Sequence, residues 1–297
     1  MRIGIPIISF FISLFKKESV NHSDVHALTI DVEDWFHVCN LQYEPVIARS
    51  RWRVHSATER ILSLLAVSEI KATFFILGSV AEAETELAGL ITSQGHEIAS
   101  HGWSHRLVHE MTADEFKAEL ERTAELIFKQ TGARPVGYRA PRWSISERTP
   151  WAHEILVEQG YLYDSSCNPL PLVGNGRAPR RPYSIQTGKG ALWEVPPMVT
   201  PTPMGNLPTG GGWGFRLFPL PLISSTIRRY QKAGHPAVLY LHPREVDPLG
   251  PRLDLSPLQS FAAYGTRNDA APRITALLKT FRFTTLESMV RSWKLVS

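Results

Sequence analysis

The sequence has little cysteine, and this scarcity limits the chemistry open to the protein. Cys39 and Cys167 are the two thiols among 297 residues, too few to argue a disulfide framework. They also exclude a zinc site built on thiolates. Any metal in this protein must therefore be held by histidine and carboxylate groups.

Long hydrophobic runs are also lacking. The apolar stretch at residues 3–15 contains Gly4 and Pro6 and is shorter than the roughly 20 residues that a membrane-spanning helix needs. No small-x-small cleavage site follows it, so a signal peptide, an interfacial anchor and a disordered extension all stay open. We expect at most weak membrane association through this segment. A cytoplasmic or membrane-associated location is favoured, with secretion as the alternative.

Basic and acidic residues nearly balance over the whole chain. Lysine and arginine number 32 against 28 acids, a net charge of +4, which argues against a nucleic-acid partner. One basic cluster, Arg177, Arg180 and Arg181, would suit either an anionic polymer or a solvated loop. The triplet Gly210–Gly212 lacks the Gly-Lys-Ser/Thr of a phosphate-binding loop. The sequence leaves the oligomeric state open.

Short apolar strands alternate with helices from Val25 onward. This order predicts an α/β fold with a parallel sheet and helices outside it, and six or seven repeats favour closure into a barrel. We divide the chain into an N-terminal extension, residues 1–24, and one barrel domain, residues 25–297. Within the domain, a Pro- and Gly-rich excursion at about residues 168–215 contains one strand-like piece, Leu192–Val195.

The clearest helix begins after Thr112 and carries its own boundary signals. Glu115 lies three residues beyond Thr112, the spacing of a capping box. Gly132 is well placed to end the helix. Helices this well marked support the alternating pattern.

Two histidines follow a short apolar strand at residues 96–100. His101 and His105 can point at one metal ion, and with one carboxylate they would form a site that leaves positions open for water and substrate. A divalent metal polarises a carbonyl and lowers the pKa of water. A pair of core histidines is the alternative. Reactive groups in parallel barrels gather at the C-terminal strand ends, which is where this pair falls.

Three carboxylates end another apolar strand, Ala27–Val32. Asp31 and Glu33 project to the same side of an extended chain, so one can bind metal while the other takes a proton from water. Asp34 joins them only if the chain turns there. Three clustered carboxylates repel one another unless a cation is present, which favours a metal site over a solvated acidic loop.

Two further strand ends supply a guanidinium and an imidazole. Arg139 is the last residue of the short strand at residues 136–139 and could pair with the base carboxylate, keeping it ionised. A surface arginine is the alternative. His242 follows the apolar strand Val238–Leu241 and could transfer a proton near neutral pH. A buried structural histidine is the alternative there.

Together these motifs resemble the NodB-type polysaccharide deacetylases over about Ala27 to Leu286. The shared order is the acidic strand end Thr29–Asp34, then Ser100–His105, Arg139–Pro141 and Leu241–His242. The forms Asp-Val-Glu-Asp-Trp-Phe and Leu-His-Pro-Arg-Glu-Val-Asp-Pro are most similar to the branch found with exosortase and exopolysaccharide gene clusters.

The resemblance implies a distorted seven-stranded (β/α) barrel and a divalent metal, usually zinc. By position, His101 and His105 match metal ligands and Asp31 matches the catalytic base. Arg139 matches the residue that tethers the base, and His242 the general acid. The resemblance further implies that the backbone N–H of Arg142 lies near the oxyanion.

The sequence departs from the common family pattern at two places. Val32 follows Asp31 where a second aspartate is usual, so the acidic metal ligand is Glu33, as in some relatives, or Asp34. No family segment that orients His242 can be placed. Glu194 and Asp247 are the candidates for that role.

We therefore expect a metal-dependent hydrolase that removes N-acetyl groups from amino sugars of an acetylated polysaccharide or oligosaccharide, in exopolysaccharide biosynthesis. Asp31 would activate the attacking water and His242 would protonate the departing amine. One alternative is a carbon–nitrogen hydrolase acting on a small cyclic amide or ureide. The other is a catalytically silent glycan-binding protein.

Overall fold

The computed structural model describes residues 24–37, 49–171, 173–265 and 269–294. The N-terminal extension, residues 1–24, lies outside the described residues except for Asp24, and its apolar stretch at residues 3–15 lies wholly outside them, as does Cys39. Among the helices that are described, none combines the length and the apolarity needed to cross a bilayer.

The described chain alternates strands and helices over most of its length. The strands are β1 Val25–Val32, β2 Thr73–Ile76, β3 Glu97–Ser100, β4 Gly137–Tyr138, β5 Tyr163–Asp164, β6 Tyr183–Thr187, β7 Gly190–Glu194, β8 Thr200–Thr202, β9 Gly205–Leu207, β10 Val238–Leu241 and β11 Arg282–Thr284. The helices are α1 Val54–Val67, α2 Gly78–Ala83, α3 Leu87–Ser93, α4 Ala113–Thr131, α5 Ala152–Glu158, α6 Gly212–Leu217, α7 Leu220–Lys232, α8 Pro257–Tyr264, α9 Ala271–Leu278 and α10 Leu286–Lys294. The predicted α/β class is confirmed.

The main sheet is parallel and curls into a half-barrel. Its strand order is β10-β1-β2-β3-β4-β5-β7-β6, and the seven strands from β10 to β7 run parallel. β6 pairs antiparallel with β7 at the edge, and β11 pairs in parallel with the first residues of β1. The C-terminal ends of these seven parallel strands therefore lie on one rim of the half-barrel.

Backbone hydrogen bonds span the opening between β7 and β10. Val195 donates its N–H to the Asp164 carbonyl on one side, at 2.8 Å, and Met198 donates to the Val238 carbonyl on the other, also at 2.8 Å. The Tyr240 N–H donates to the Gly210 carbonyl at 2.9 Å. The chain after β7 thus connects the two ends of the curled sheet.

Alternate residues of each strand face the inside and the outside of the barrel. Leu28, Ile30 and Val32 of β1 belong to the large outer core that includes residues of α1 and α9. Ala27 belongs instead to an inner cluster with Phe75, Ala99, Tyr163 and Val238. Because side chains alternate along a strand, Asp31 lies on the inner side, at the rim.

The Pro- and Gly-rich stretch at residues 168–215 has more regular structure than its composition indicates. It contains the hairpin of β6 and β7, which joins the main sheet, and the separate hairpin of β8 and β9. The predicted strand Leu192–Val195 corresponds to the end of β7. The alternating exposure of Tyr183–Thr187 is the strand signal that the flanking Pro182 and Gly188 obscured.

Candidate active site

The residues predicted at three strand ends lie on one inner face of the rim. Asp31 follows Ala27 and Thr29 in the alternation of β1, and His101 follows Ala99 beyond β3. His242 follows Tyr240 beyond β10. All three are buried, with 8% exposure or less. The two-residue period of three parallel strands thus brings together groups that are far apart in sequence.

Glu33 and the two histidines form the tightest cluster at the rim. The Glu33 Oε1 atom lies 3.1 Å from His101 Nε2 and 3.1 Å from His105 Nε2. All three side chains are buried. A tight turn, in which the Glu33 N–H donates to the Asp31 carbonyl at 2.9 Å, brings Glu33 into this cluster.

The hydrogen bonding of His101 tests whether the cluster suits a metal. Its Nδ1 atom lies 2.7 Å from the Arg139 carbonyl oxygen, which only accepts, so Nδ1 carries the proton. In the neutral ring, Nε2 then presents a lone pair to a carboxylate oxygen of Glu33. A proton or a metal ion must lie between two buried acceptors that face each other, and two imidazole nitrogens with one carboxylate are typical ligands of a divalent metal.

The electrostatics of the cluster agree with an ionised carboxylate. Burial alone would raise the pKa of Glu33, but the neighbouring His105, His242 and His101 lower this pKa well below its ordinary value. Burial lowers the pKa of His105. For His101, burial also acts to lower the pKa, but Glu33 and Asp31 outweigh it, so the net shift is upward.

Asp34, the alternative acidic ligand, is not brought into the cluster. Its carboxylate accepts hydrogen bonds from the backbone N–H groups of Trp35 at 2.7 Å, Arg53 at 2.9 Å and Val54 at 3.0 Å. Burial raises the pKa of Asp34, although these hydrogen bonds oppose the shift. Asp34 therefore satisfies the free N–H groups where α1 begins, a structural role.

Asp31 is held by a buried guanidinium, as the sequence predicted. Arg139 Nη1 donates to Asp31 Oδ1 at 2.7 Å and to Thr29 Oγ1 at 2.8 Å. Arg139 also donates to the carbonyl and the hydroxyl of Ser165, and its guanidinium lies 4.2 Å from the centre of the Phe75 ring. Because the arginine is fully buried and multiply bonded, it fixes the position of the Asp31 carboxylate.

His242 faces Asp31 on one side and an unpredicted carboxylate on the other. Its Nε2 atom lies 3.9 Å from Asp31 Oδ2, and its Nδ1 atom lies 3.3 Å from Glu245 Oε1. Burial would raise the pKa of Glu245, but Arg216 and His242 lower it. Glu245 therefore occupies the orienting position.

The two predicted orienting residues lie elsewhere. Asp247 forms a bidentate ion pair with Arg53, at 2.8 Å for both contacts. Glu194 accepts from the Cys167 N–H at 2.9 Å, and burial next to Asp164 raises its pKa well above the ordinary value. The short 3-10 helix Pro243–Val246 turns the residue three beyond His242 back toward it, which the spacing His-Pro-Arg-Glu could have indicated.

Arg244 is a further group that the sequence analysis did not place. Its Nη1 atom lies 3.2 Å from Glu33 Oε2, the oxygen that does not face the histidines. A guanidinium here compensates part of the carboxylate charge and orients the remaining oxygen toward His101 and His105.

Backbone strain concentrates around the cluster. Four non-glycine residues of the described chain have positive φ, and three of them, His105 at 58°, Arg142 at 50° and Trp143 at 52°, are on the rim loops. Such conformations cost on the order of 1 kcal/mol each and persist where surrounding contacts enforce them. The Trp143 ring packs edge-on against Tyr240, with centroids 4.8 Å apart, and so connects the Arg142 loop to β10.

Comparison with known protein families agrees with this geometry. Residues 24–162 match the family model of polysaccharide deacetylases, and residues 165–291 match a domain of unknown function, DUF3473. The segment 24–162, which holds Asp31, Glu33, both cluster histidines and Arg139, is therefore the part of the chain that resembles polysaccharide deacetylases. His242 and Glu245 come from the second segment.

Comparison with individual proteins shows a similar resemblance in sequence and in fold. A peptidoglycan deacetylase from Helicobacter pylori is 35% identical over 120 residues, 40% of each chain, so our chain spans less than half of that relative. The crystal structure of a putative polysaccharide deacetylase from Mycobacterium smegmatis superposes with a TM-score of 0.63 at 23% identity, covering 92% of this chain and 90% of that one. An allantoinase structure superposes at 0.60 with 18% identity, covering 93% and 92%. These two structures confirm the fold.

Proposed function

We propose that this protein is a metal-dependent hydrolase that removes N-acetyl groups from amino sugars of a polysaccharide. The observation that carries the proposal is the convergence of a Glu33–His101–His105 cluster with Asp31 and His242. These five groups come from three strand ends, and the family match of residues 24–162 supports the reaction class.

Glu33, His101 and His105 would hold the metal, with zinc favoured by the resemblance. When bound, a divalent ion acts as a Lewis acid toward the acetamide carbonyl and lowers the pKa of water. The His101 Nδ1 contact with the Arg139 carbonyl fixes the ring so that Nε2 faces the site. A hydrogen bond behind a ligating imidazole has this orienting role in metal sites.

The remaining residues divide the proton transfers. Asp31, held through Oδ1 by Arg139, uses its other oxygen to take a proton from the attacking water. His242 lies 3.9 Å from that oxygen, so base and acid serve the same reacting carbon, and His242 protonates the departing amine. Glu245 holds the imidazole through Nδ1. The backbone N–H of Arg142 stabilises the developing oxyanion, a contribution of roughly 3 kcal/mol for one donor.

The experiment that tests this proposal measures bound metal and acetate release from acetylated glycans, with and without chelator. Asp31→Asn should abolish turnover and keep the metal, because Asp31 does not belong to the ligand cluster. His101→Ala should lose both. Full activity in Asp31→Asn, or stoichiometric metal in His101→Ala, would contradict the assigned roles.

A role in exopolysaccharide biosynthesis is the finer part of the proposal. It rests on the similarity of Asp-Val-Glu-Asp-Trp-Phe and Leu-His-Pro-Arg-Glu-Val-Asp-Pro to the exosortase-associated branch. With it we propose a cytoplasmic or membrane-associated location, on the sequence of residues 1–24. Deletion of the gene should leave the exported polysaccharide more acetylated, and an unchanged acetyl content would refute this role.

The likeness to an allantoinase fold favours one second candidate, the hydrolysis of a cyclic amide or ureide. Both reactions use the same groups, and the substrate separates them. Ring opening of a ureide without acetate release from chito-oligosaccharides would replace the first proposal with the second. Glycan binding with neither reaction would indicate a silent binding protein.

A further inference from the structure

A cleft of about 600 Å³ lies on the flank of the barrel. Pro171 and residues 176–181, the β8–β9 hairpin and the C-terminal half of α7 form its walls, and no residue of the Glu33 cluster lines it. Four arginines line it, Arg177, Arg180, Arg181 and Arg229. We call it the arginine cleft. No acidic side chain is among its lining residues.

The four guanidinium groups lack carboxylate partners within the described chain. Nine other arginines there have a carboxylate oxygen within 4.0 Å. The lining arginines have none, and Arg180 makes a hydrogen bond of 3.4 Å to the amide oxygen of Asn206. Four like charges around one concavity repel one another, and an anionic ligand would relieve that repulsion.

The sequence around the cleft has a matching charge bias. Residues 165–244 contain nine arginines and lysines and a single acid, Glu194, which is fully buried. The whole chain carries +4, so the other residues together carry −4. Four of the nine basic residues line the cleft, whereas Arg216, Arg244 and Lys189 pair with acids outside this segment. Part of the positive charge of the segment therefore lies at the cleft without an acidic partner among the described residues.

The walls of the cleft favour a sugar over a compact phosphate. Apolar surface comes from Pro171, Pro179, Pro201 and Tyr230, and flat apolar surface packs against the C–H faces of pyranose rings. The helix end at the cleft belongs to the C-terminal half of α7, whose partial negative charge disfavours a compact dianion. Phosphate sites instead use helix N-termini. Planar guanidinium groups match carboxylates and phosphates alike, so the choice of a carboxylate-bearing sugar rests on the apolar walls and on the absence of a helix N-terminus among the lining residues.

We propose that the arginine cleft binds a carboxylate-bearing segment of an acidic oligosaccharide. This inference deepens the proposed function, because it makes the polymer whose acetamido sugars enter the rim site an anionic one. The volume lies in the range that encloses a small ligand, so a short run of sugars would fill it while the rest of the polymer stays outside.

Binding of a short oligogalacturonate to the full chain tests the proposal, with a chito-oligosaccharide of the same length as the neutral probe. We expect the acidic probe alone to bind, and its affinity to fall as salt rises from about 50 mM to about 300 mM. Arg180→Gln/Arg181→Gln and Arg229→Gln should each weaken binding by about three- to tenfold.

Matched variants separate a cleft from overall charge. Arg228→Gln changes the residue next to Arg229, and Arg228 packs toward Phe281 and does not line the cleft. Lys279→Gln/Arg282→Gln removes two exposed charges elsewhere. Both controls should bind the acidic probe as the parent does. Equal losses in cleft and control variants would overturn the proposal, because they would indicate attraction by overall charge.

Two further probes identify the ligand class. Inorganic diphosphate and a short single-stranded DNA should compete weakly. If either binds more tightly than oligogalacturonate, the cleft is a phosphate or nucleic-acid site and the saccharide proposal fails. Asp31→Asn should bind the acidic probe normally. If oligogalacturonate binds to the cleft but no glycan releases acetate, the proposed function is refuted and the cleft assignment remains.

Discussion

Three carboxylates within four residues at the end of β1 have three different partners. Asp31 pairs with Arg139, Glu33 faces the two histidines, and Asp34 accepts backbone N–H groups at the start of α1. Each negative charge is thus compensated separately, which is how three acids can be buried side by side.

Exchange of single carboxylates for amides should separate two of these roles. Glu33→Gln should lose bound metal, because an amide oxygen carries no charge to compensate the cation. Asp34→Asn should keep full metal content but lower the free energy of unfolding by roughly 1–2 kcal/mol, since it weakens the contacts at the start of α1. Metal analysis and urea denaturation of both variants check this. Metal loss in Asp34→Asn alone would reverse the assignment.

The Glu245 side chain should act by positioning His242. Glu245→Gln is expected to lower kcat by about 10- to 100-fold with KM little changed, because the acid is misoriented while substrate contacts remain. Asp247→Asn is the control, since Asp247 pairs with Arg53, and its kcat should stay near the parent value. Steady-state kinetics on one acetylated oligosaccharide decide the matter. A rise in KM alone would show that Glu245 contacts substrate instead.

The sequence predicted the site residues at strand ends but not those whose positions depend on a turn. Asp31, His101 and His242 were predicted from the ends of their apolar strands, which the local sequence marks. The choice between Glu33 and Asp34 depended on the turn after β1, and strand periodicity does not specify a turn. Glu245 was not predicted for a similar reason, because a short 3-10 helix brings its side chain back to His242.

At the scale of elements, the His101–His105 loop is fixed by helices on the outside of the sheet. The Trp103 ring lies against Gly78 at the start of α2, with the Arg122 guanidinium 3.3 Å from its centre. Glu119 of α4 accepts from the Trp103 N–H at 3.2 Å and from the Ser104 hydroxyl at 2.7 Å. These contacts hold the loop that carries both histidines.

Gly78→Ala should disturb the proposed metal site from a distance. A Cβ atom at Gly78 would lie 2.3 Å from Trp103 Cε3, so the indole and its loop must move, at a cost of about 1–3 kcal/mol. We expect weaker metal binding and a lower melting temperature. Gly89→Ala is the control, because its nearest neighbour would be 3.6 Å away. Parent-like metal affinity in Gly78→Ala would show that the loop is held by other contacts.

Elements with strong periodicity were predicted well, and those that depend on tertiary context were not. The capping box of Thr112 and Glu115 and the left-handed Gly132 bound α4 as expected. The pattern of residues 81–92 is that of one continuous helix, but the chain there divides into α2 and α3, because Glu84 leaves the helical region at φ −114° and ψ 72°. No local residue type forces that break.

Across the whole molecule, the barrel end opposite the rim contains buried groups of its own. His26 and His96 lie near the starts of β1 and β3, and each Nδ1 accepts a backbone N–H, from Ala237 and Ala72. Burial lowers the pKa of both to about 4. Burial raises the pKa of Glu97, at the start of β3, to about 7.

These groups make stability depend on pH with opposite signs. Between about pH 6.5 and 4 the unfolded chain binds protons at His26 and His96 that the folded protein does not bind, so stability decreases as the pH is lowered. Glu97 binds a proton in the folded state up to about pH 7, so its contribution is lost as pH rises from about 4.5 to 7. The two histidines outweigh the single acid, and we expect a net loss of stability toward acid from these three groups.

Urea denaturation across this range checks the balance. His26→Gln and His96→Gln should each flatten the fall in the free energy of unfolding below pH 6.5. Glu97→Gln should steepen it, because the opposing proton is removed. An unchanged slope in all three variants would mean that other carboxylates govern the acid response.

The separate compensation of the β1 carboxylates limits how this acidic motif can be transplanted. A segment Asp-Val-Glu-Asp grafted onto another scaffold would arrive with three charges and none of their distant counterparts. The recipient would need a guanidinium beneath, imidazoles alongside and a helix start beyond, each from a different stretch of chain. The smallest part of the protein that could be grafted with its charges compensated is therefore the whole rim of the barrel.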